Sequence, residues 1–173
     1  MEVEIIKLTV ENDNLQTFWN LRDEYMVRDI FEYDELGNEL TEEDKEWFLS
    51  SEYRNHMHKL FKKIIDTAFP ILFIEDDEII GFCLYCTYLS EDGKCFIVDF
   101  CILPEYREKG KGTLCFQLLK NAEIKRGAKY FELNCSNRRN KRFWEMQGFK
   151  LNGVDEHGTP LMVMYCDNNY VND

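Results

Sequence analysis

The chain has 173 residues, 45% hydrophobic and 14% aromatic, with a formal net charge of −12. That length buries one full core without needing a second, so a single domain over residues 1–173 is expected. No apolar run approaches the roughly 20 residues needed to span a membrane, and the strong acidity disfavours a nucleic-acid partner.

Taken in chain order, Val3 to Thr9 alternates like a first strand. Asn12 or Asp13 can cap a helix running to about Arg28, with Leu15, Phe18, Trp19, Arg22, Tyr25 and Met26 near helical period. Residues 29–44 are acidic and aperiodic and read as a loop; Glu46 to Thr67 reads as a second helical region. Pro70 opens the apolar run Ile71–Glu75, Asp76-Asp77 turns it, and Glu78–Leu89 returns at hairpin distance. Asp92-Gly93 turns again into Lys94–Ile102.

A helix over Gly112–Lys125 follows, with Leu114, Leu118, Leu119 and Ala122 on its apolar side and Gly127 as its C-cap. Tyr130–Cys135 is a strand, Arg138–Gln147 a short helix stopped by Gly148, and Leu161–Cys166 the last strand. The order is β-α-α-β-β-β-α-β-α-β.

Seven cysteines, an odd number scattered through apolar segments, read as reduced thiols. Met-Glu-Val-Glu at the start has neither the basic charge nor the apolar stretch of a leader. Both observations lead to an expected cytoplasmic location. Cys83-Leu-Tyr-Cys86 has redox spacing, yet in a strand residues three apart face opposite sides, so a dithiol is not expected. His56 and His58 lack Cys or carboxylate partners at metal spacing, and no metal is expected.

The segment Ile102-Leu-Pro-Glu-Tyr-Arg107-Glu-Lys-Gly110-Lys-Gly112-Thr113 carries the most chemistry. A strand runs through a proline turn into a basic, glycine-bearing loop that opens onto a helix. Free N–H groups at a helix start cradle anions, and glycine lets a phosphate approach the backbone. A P-loop would need Ser or Thr directly after Gly-Lys, but Gly112 follows Lys111. A dinucleotide fingerprint would need glycine where Cys115 stands.

What remains, Arg107-x-x-Gly110-x-Gly112 between strand and helix, resembles the pyrophosphate loop of the GNAT-type N-acetyltransferase superfamily. About 30 residues later, Asn137, Phe143, Gly148 and Phe149 match that superfamily's later cofactor segment, with Asn140 in place of its usual Ala and Trp144 in place of its usual Tyr.

The resemblance implies an α/β (α+β) fold, with a mixed, mostly antiparallel central sheet flanked by helices. It also implies an acetyl-CoA-dependent N-acetyltransferase acting directly on a primary amine. Acetyl-CoA is then the co-substrate. The main chain of Cys101 and Ile102 would bond its pantetheine amides. Arg107, Lys109, Gly110, Lys111, Gly112 and Thr113 would hold its pyrophosphate. Asn137 would bond the cofactor arm, or cap the following helix, or both, and Phe143 would pack beside it. Asp99 is the candidate base, with a structural Asp hydrogen-bonded to neighbouring backbone as the alternative. Trp144 cannot usefully give up a proton near neutral pH, so the proton for the departing thiolate is left to Tyr106, Cys135 or water.

Charge adds one distinction. Residues 104–142 hold eleven Lys or Arg against four Glu, whereas the rest holds ten against 29 acids, many within residues 23–46. One basic island fits a polyanionic cofactor. The acids suit a solvated surface or a field for a small cationic amine acceptor. A protein or peptide amine, or a CoA-binding regulatory protein without catalysis, are the alternatives. No nucleic-acid or membrane partner is expected, and a homodimer is compatible with the sequence.

Overall fold

The computed structural model describes residues 2–32, 36, 39–135 and 137–166. Seven strands form one sheet: Val3–Lys7 (β1), Ala68–Glu75 (β2), Glu78–Thr87 (β3), Lys94–Ile102 (β4), Tyr130–Asn134 (β5), Lys150–Val154 (β6) and Pro160–Tyr165 (β7). Their order across the sheet is β1-β2-β3-β4-β5-β7-β6. Every neighbouring pair is antiparallel except β4 with β5. The helices are Leu15–Tyr25 (α1), Glu42–Phe48 (α2), Ser51–Phe61 (α3), Lys111–Arg126 (α4) and Arg138–Met146 (α5), and a π-helical turn, Met26–Ile30, extends α1. The mixed, mostly antiparallel sheet expected from the sequence is the one observed.

Helices cover both faces of the sheet, which is why β2 and β3 read as continuous apolar runs rather than alternating ones. Ile71, Phe73, Cys83 and Tyr85 join Phe116, Leu119, Phe131 and Trp144 in one core. The intervening Leu72, Phe82 and Leu84 join Phe18, Trp19, Tyr53 and Met57 in the other. Cys83 and Cys86 fall on opposite faces, one in each core.

Several elements differ from the sequence reading. The region expected as one helix from Glu46 to Thr67 is two, because Ser50 caps a fresh start by accepting from the Tyr53 N–H at 3.1 Å. Thr41 and Asp44 form a capping box ahead of α2. Ile64 and Ile65 lie beyond α3 and are exposed.

On α4 the buried residues are Cys115, Phe116, Leu119 and Glu123, while Leu114 faces solvent. The helix is thus rotated from the expected face, since the aromatic Phe116 and the hydrogen-bonded Glu123 take the inward positions. Glu123 is fully buried and accepts from Tyr85, Thr87 and Arg126. β6 was absent from the sequence reading; all five of its residues are exposed, so no buried face imposes an alternation. Part of the acidic segment expected as a loop, residues 33–35, 37 and 38, lies outside the described residues. Among the described residues no helix is long and apolar enough to cross a membrane, and no His/Cys/Asp/Glu group could hold a metal ion.

Candidate active site

Two departures from regular pairing open the sheet at its centre. β4 and β5 pair only over Lys94–Ile97 and Tyr130–Leu133, after which they part. On the other side of β4 the register with β3 steps from Leu84↔Asp99 to Tyr85↔Ile97, so Val98 bulges out. The gap widens into a cleft of about 1100 Å³, walled by β4 from Phe96 to Ile102, by α1 with its π-helical turn, and by the starts of α4 and α5.

The Leu103 N–H bonds the Ile80 carbonyl at 2.9 Å. Because an antiparallel ladder directs successive residues to alternate edges, Cys101 turns its main chain toward β3. Phe100 and Ile102 turn theirs toward the edge that β5 has left. Of the main-chain pair expected to bond the cofactor, Ile102 faces the parted edge and Cys101 faces β3; the main chain of Phe100 also faces the parted edge. The Ile102 carbonyl already accepts from Arg107 Nε at 2.7 Å.

The loop beyond β4 makes a short 3₁₀ turn, Pro104–Tyr106, and then meets α4 at Gly110. Gly110 is left-handed, with φ +73°, and its position offers no side-chain cap. The first helical bond is Leu114 N–H to the Gly110 carbonyl at 3.1 Å, so the amides of Lys111, Gly112 and Thr113 have no intrahelical partner. A Cβ built on Gly110 meets no atom within 4 Å. The helix therefore begins as an open, positively polarised cradle at the mouth of the cleft.

The basic side chains near the cradle have other partners. Arg107 grips Asp29 of the π-helical turn with both terminal nitrogens, at 3.0 and 2.6 Å. Arg28 bonds the same carboxylate at 2.9 Å. Burial pushes the Asp29 carboxyl up, but hydrogen bonds from Arg107 and Arg28 outweigh it and hold the group below the usual range. Lys111 pairs with Glu75 at 2.6 Å, and Lys109 donates to the Glu105 carbonyl at 3.0 Å. Neither lysine lines the cleft, whereas Arg107, Gly110, Gly112 and Thr113 do.

Asn137 and Phe143 come to the same cleft from α5. Asn137 is the N-cap, its Oδ1 accepting from the Asn140 N–H at 2.9 Å. Phe143 stacks on Phe100 with centroids 5.9 Å apart. Trp144, only 6% exposed, packs edge-on against Phe143, Phe149, Phe100 and Phe116 at 4.8 to 5.3 Å. Of the proton sources considered in its place, Tyr106 lies outside the cleft and donates to Glu78, which pushes its phenol up to about 12. Cys135 is fully buried, with its sulfur 3.4 Å from the Asn137 carbonyl.

Asp99 lines the cleft just beyond the bulge and is 7% exposed. Its Oδ2 accepts from Arg22 Nε at 3.2 Å. Tyr25 stands in the same wall, buried, with its phenol pushed well up by desolvation and by Asp99. The sequence had shown Arg22 and Tyr25 only as members of a helical stripe. Their polar ends carried no motif, and only tertiary packing brings them to Asp99.

No curated protein sequence matches the chain. Among solved structures, PaiA N-acetyltransferase from Thermoplasma acidophilum, in complex with coenzyme A, superposes with a TM-score of 0.68 at 20% identity, covering 96% of this chain and 100% of that one. A GNAT-family acetyltransferase from Staphylococcus aureus Mu50 gives 0.66 at 11% identity over 95% and 99%. One from Elizabethkingia anophelis with acetyl-CoA bound gives 0.57 at 12% identity over 95% and 98%. At these identities the likeness is one of fold. The sequence model of the acetyltransferase (GNAT) family matches residues 28–149, a span that takes in β4, its bulge, the glycine loop, α4 and α5. The splayed strands and the helix they open onto thus lie within the matched span, and the chain belongs to the GNAT family of acetyltransferases.

Proposed function

We propose that this protein transfers an acetyl group from acetyl-CoA directly to a primary amine, with Asp99 taking the amine's proton. The observation that carries the reading is the uncapped start of α4, whose cradle has room at Gly110 and opens onto the parted edges of β4 and β5. A pyrophosphate fits there, because three unpartnered amides and a helix N-terminus favour an anion. The outward-turned main chain of Phe100 and Ile102 would bond the pantetheine amides, and Asn137 and Phe143 would flank the arm. Acetyl-CoA supplies an activated acyl group. The chain's own part is to orient it, exclude water and accept a proton.

An alkyl ammonium has a pKa near 10 and must lose a proton before it attacks. Asp99, at the bulge and in the cleft wall, is the carboxylate best placed to receive it. A small cationic amine is the favoured acceptor, with Asp99 as the group that takes its proton. Within residues 23–46, Asp29 is the one acid that lines the described cleft, and Arg28 and Arg107 hold it; Asp34 and Glu35 lie outside the described residues.

The test is a panel of primary amines incubated with acetyl-CoA, read as release of free thiol. Thiol that appears only when an amine is added supports direct transfer. CoA that raises the melting temperature while no amine releases thiol would instead indicate a CoA-binding protein without catalysis. No protection by CoA at low or high salt would overturn the cofactor assignment.

A further inference from the structure

Arg22 lies on α1, far in sequence from the glycine loop, and is 1% exposed. A guanidinium so deeply placed needs partners for its charge, and it has several. Nε donates to Asp99 Oδ2 at 3.2 Å, and Nη1 donates to the Phe48 carbonyl at the end of α2 at 2.5 Å. Its Cζ lies 4.4 Å from the Tyr53 ring centre, and Nη1 stands 3.9 Å from Asp23. Burial opposes the charge, but Asp99 leads the groups that outweigh it, and the guanidinium holds its proton more tightly than usual.

The titratable groups coupled to Asp99 are Arg22 and Tyr25 from α1, Tyr53 from α3 and Cys83 from β3, while the Cys101 thiol on β4 faces Arg28, Arg107 and Asp29 instead. Arg22 is the cation of that set. Both tyrosines and the Cys83 thiol are pushed up by burial and stay neutral near pH 7.

We propose that Arg22 is the positioning residue of the acetyl transfer: it fixes the Asp99 carboxylate against the cleft, oriented to receive the acceptor's proton, and ties it to the carbonyl end of α2. The inference rests on the reading of Asp99 as the base. One N–H of a rigid fork holds the carboxylate and another holds the α2 carbonyl, so one side chain sets both the orientation of the base and its distance from the end of α2. Phe48, Tyr53 and Arg22 line the same cleft as Asp99.

A structural ion pair and a positioning residue differ in their effect on the pH profile. The experiment measures kcat/KM against pH for wild type, Arg22→Lys, Arg22→Met, Asp99→Asn and the Arg22→Met/Asp99→Asn double variant, with melting temperature and CoA affinity alongside. Removing the cation favours the protonated carboxyl, so the acidic limb for Arg22→Met should move up by about one pH unit. Its rate should fall about 10- to 100-fold, with CoA affinity near wild type.

Arg22→Lys keeps the charge without the fork, so it should hold the limb in place and recover only part of the rate. The double variant should be no slower than Asp99→Asn, because Arg22 acts through that residue. A limb unmoved in Arg22→Met, or a loss uniform across pH that tracks melting temperature, overturns the proposal. If Arg22→Met does not fold, Arg22→Lys decides: full wild-type rate overturns the proposal, and a reduced rate at unchanged melting temperature and CoA affinity supports it. Wild-type activity in Asp99→Asn at every pH would sink the base reading itself, and Arg22's role with it. An impaired Asp99→Asn beside an unmoved limb in Arg22→Met sinks the positioning role alone.

Discussion

The Phe143 ring occupies the space that a side chain at residue 112 would need: a Cβ built on Gly112 lies 3.0 Å from Phe143 Cε2 and 3.2 Å from Cζ. The glycine loop and the later aromatic segment, separate in sequence, are therefore one packed unit. Glycine at 112 lets α5 close on the first turn of α4, so that the Phe143 ring and the free amides face the same cleft.

Gly112→Val should push Phe143 outward and weaken CoA binding more than it lowers stability, because the contact lies at the cleft wall. Gly110→Ala tests a different cost. Space is open there, but the left-handed backbone penalises any Cβ by about 1–2 kcal/mol, so its melting temperature should fall by several degrees. Calorimetric melting with and without CoA separates the two. Equal CoA protection in wild type and Gly112→Val would dissociate Phe143 from the cofactor.

Asp99→Asn keeps the shape of the side chain and removes its capacity to take a proton. If Asp99 is the base, kcat/KM should fall by about 10²–10⁴, with CoA affinity near wild type. Activity within a few-fold of wild type across the pH range would move the proton to water or to another acid.

Trp144 is surrounded by four aromatic rings, and its indole N–H is no useful acid near neutral pH. Trp144→Phe should therefore keep turnover within a few-fold, whereas Trp144→Ala should lose about 3–5 kcal/mol of stability. A thousandfold fall in turnover for Trp144→Phe at unchanged CoA affinity would give the indole a chemical role.

Trp19 Nε1 donates to His58 Nε2 at 3.0 Å, an acceptance that requires the neutral imidazole. Burial, then Lys62 and Arg54, lower the His58 pKa. In the unfolded chain the pKa returns toward about 6.5, so below that value the unfolded state binds more protons and stability falls as pH drops. His58→Gln can still accept from Trp19 and does not titrate. Its melting temperature should therefore decline less than that of wild type between about pH 7.5 and about pH 5.5. Parallel declines would remove His58 from the pH dependence.

The hydrophobic pattern and the two glycine-bearing motifs by themselves determined much of this protein. The strands from β2 to β5 and the helices that follow β4 and β5 were legible because burial imposes periodicity, and because glycine marks where a backbone must turn or be approached. Gly110, Gly127 and Gly148 all have positive φ. Where burial imposes nothing, as on the fully exposed β6, the pattern was silent.

Tertiary structure alone decided which groups meet. Arg107 and Lys111 look alike as cations in a basic loop, yet one grips Asp29 and the other Glu75, leaving the main chain to form the cradle. Arg22 and Asp99 are 77 residues apart, and no local signal links them. A side chain's partner depends on what the rest of the fold carries to it, and local propensity does not encode that.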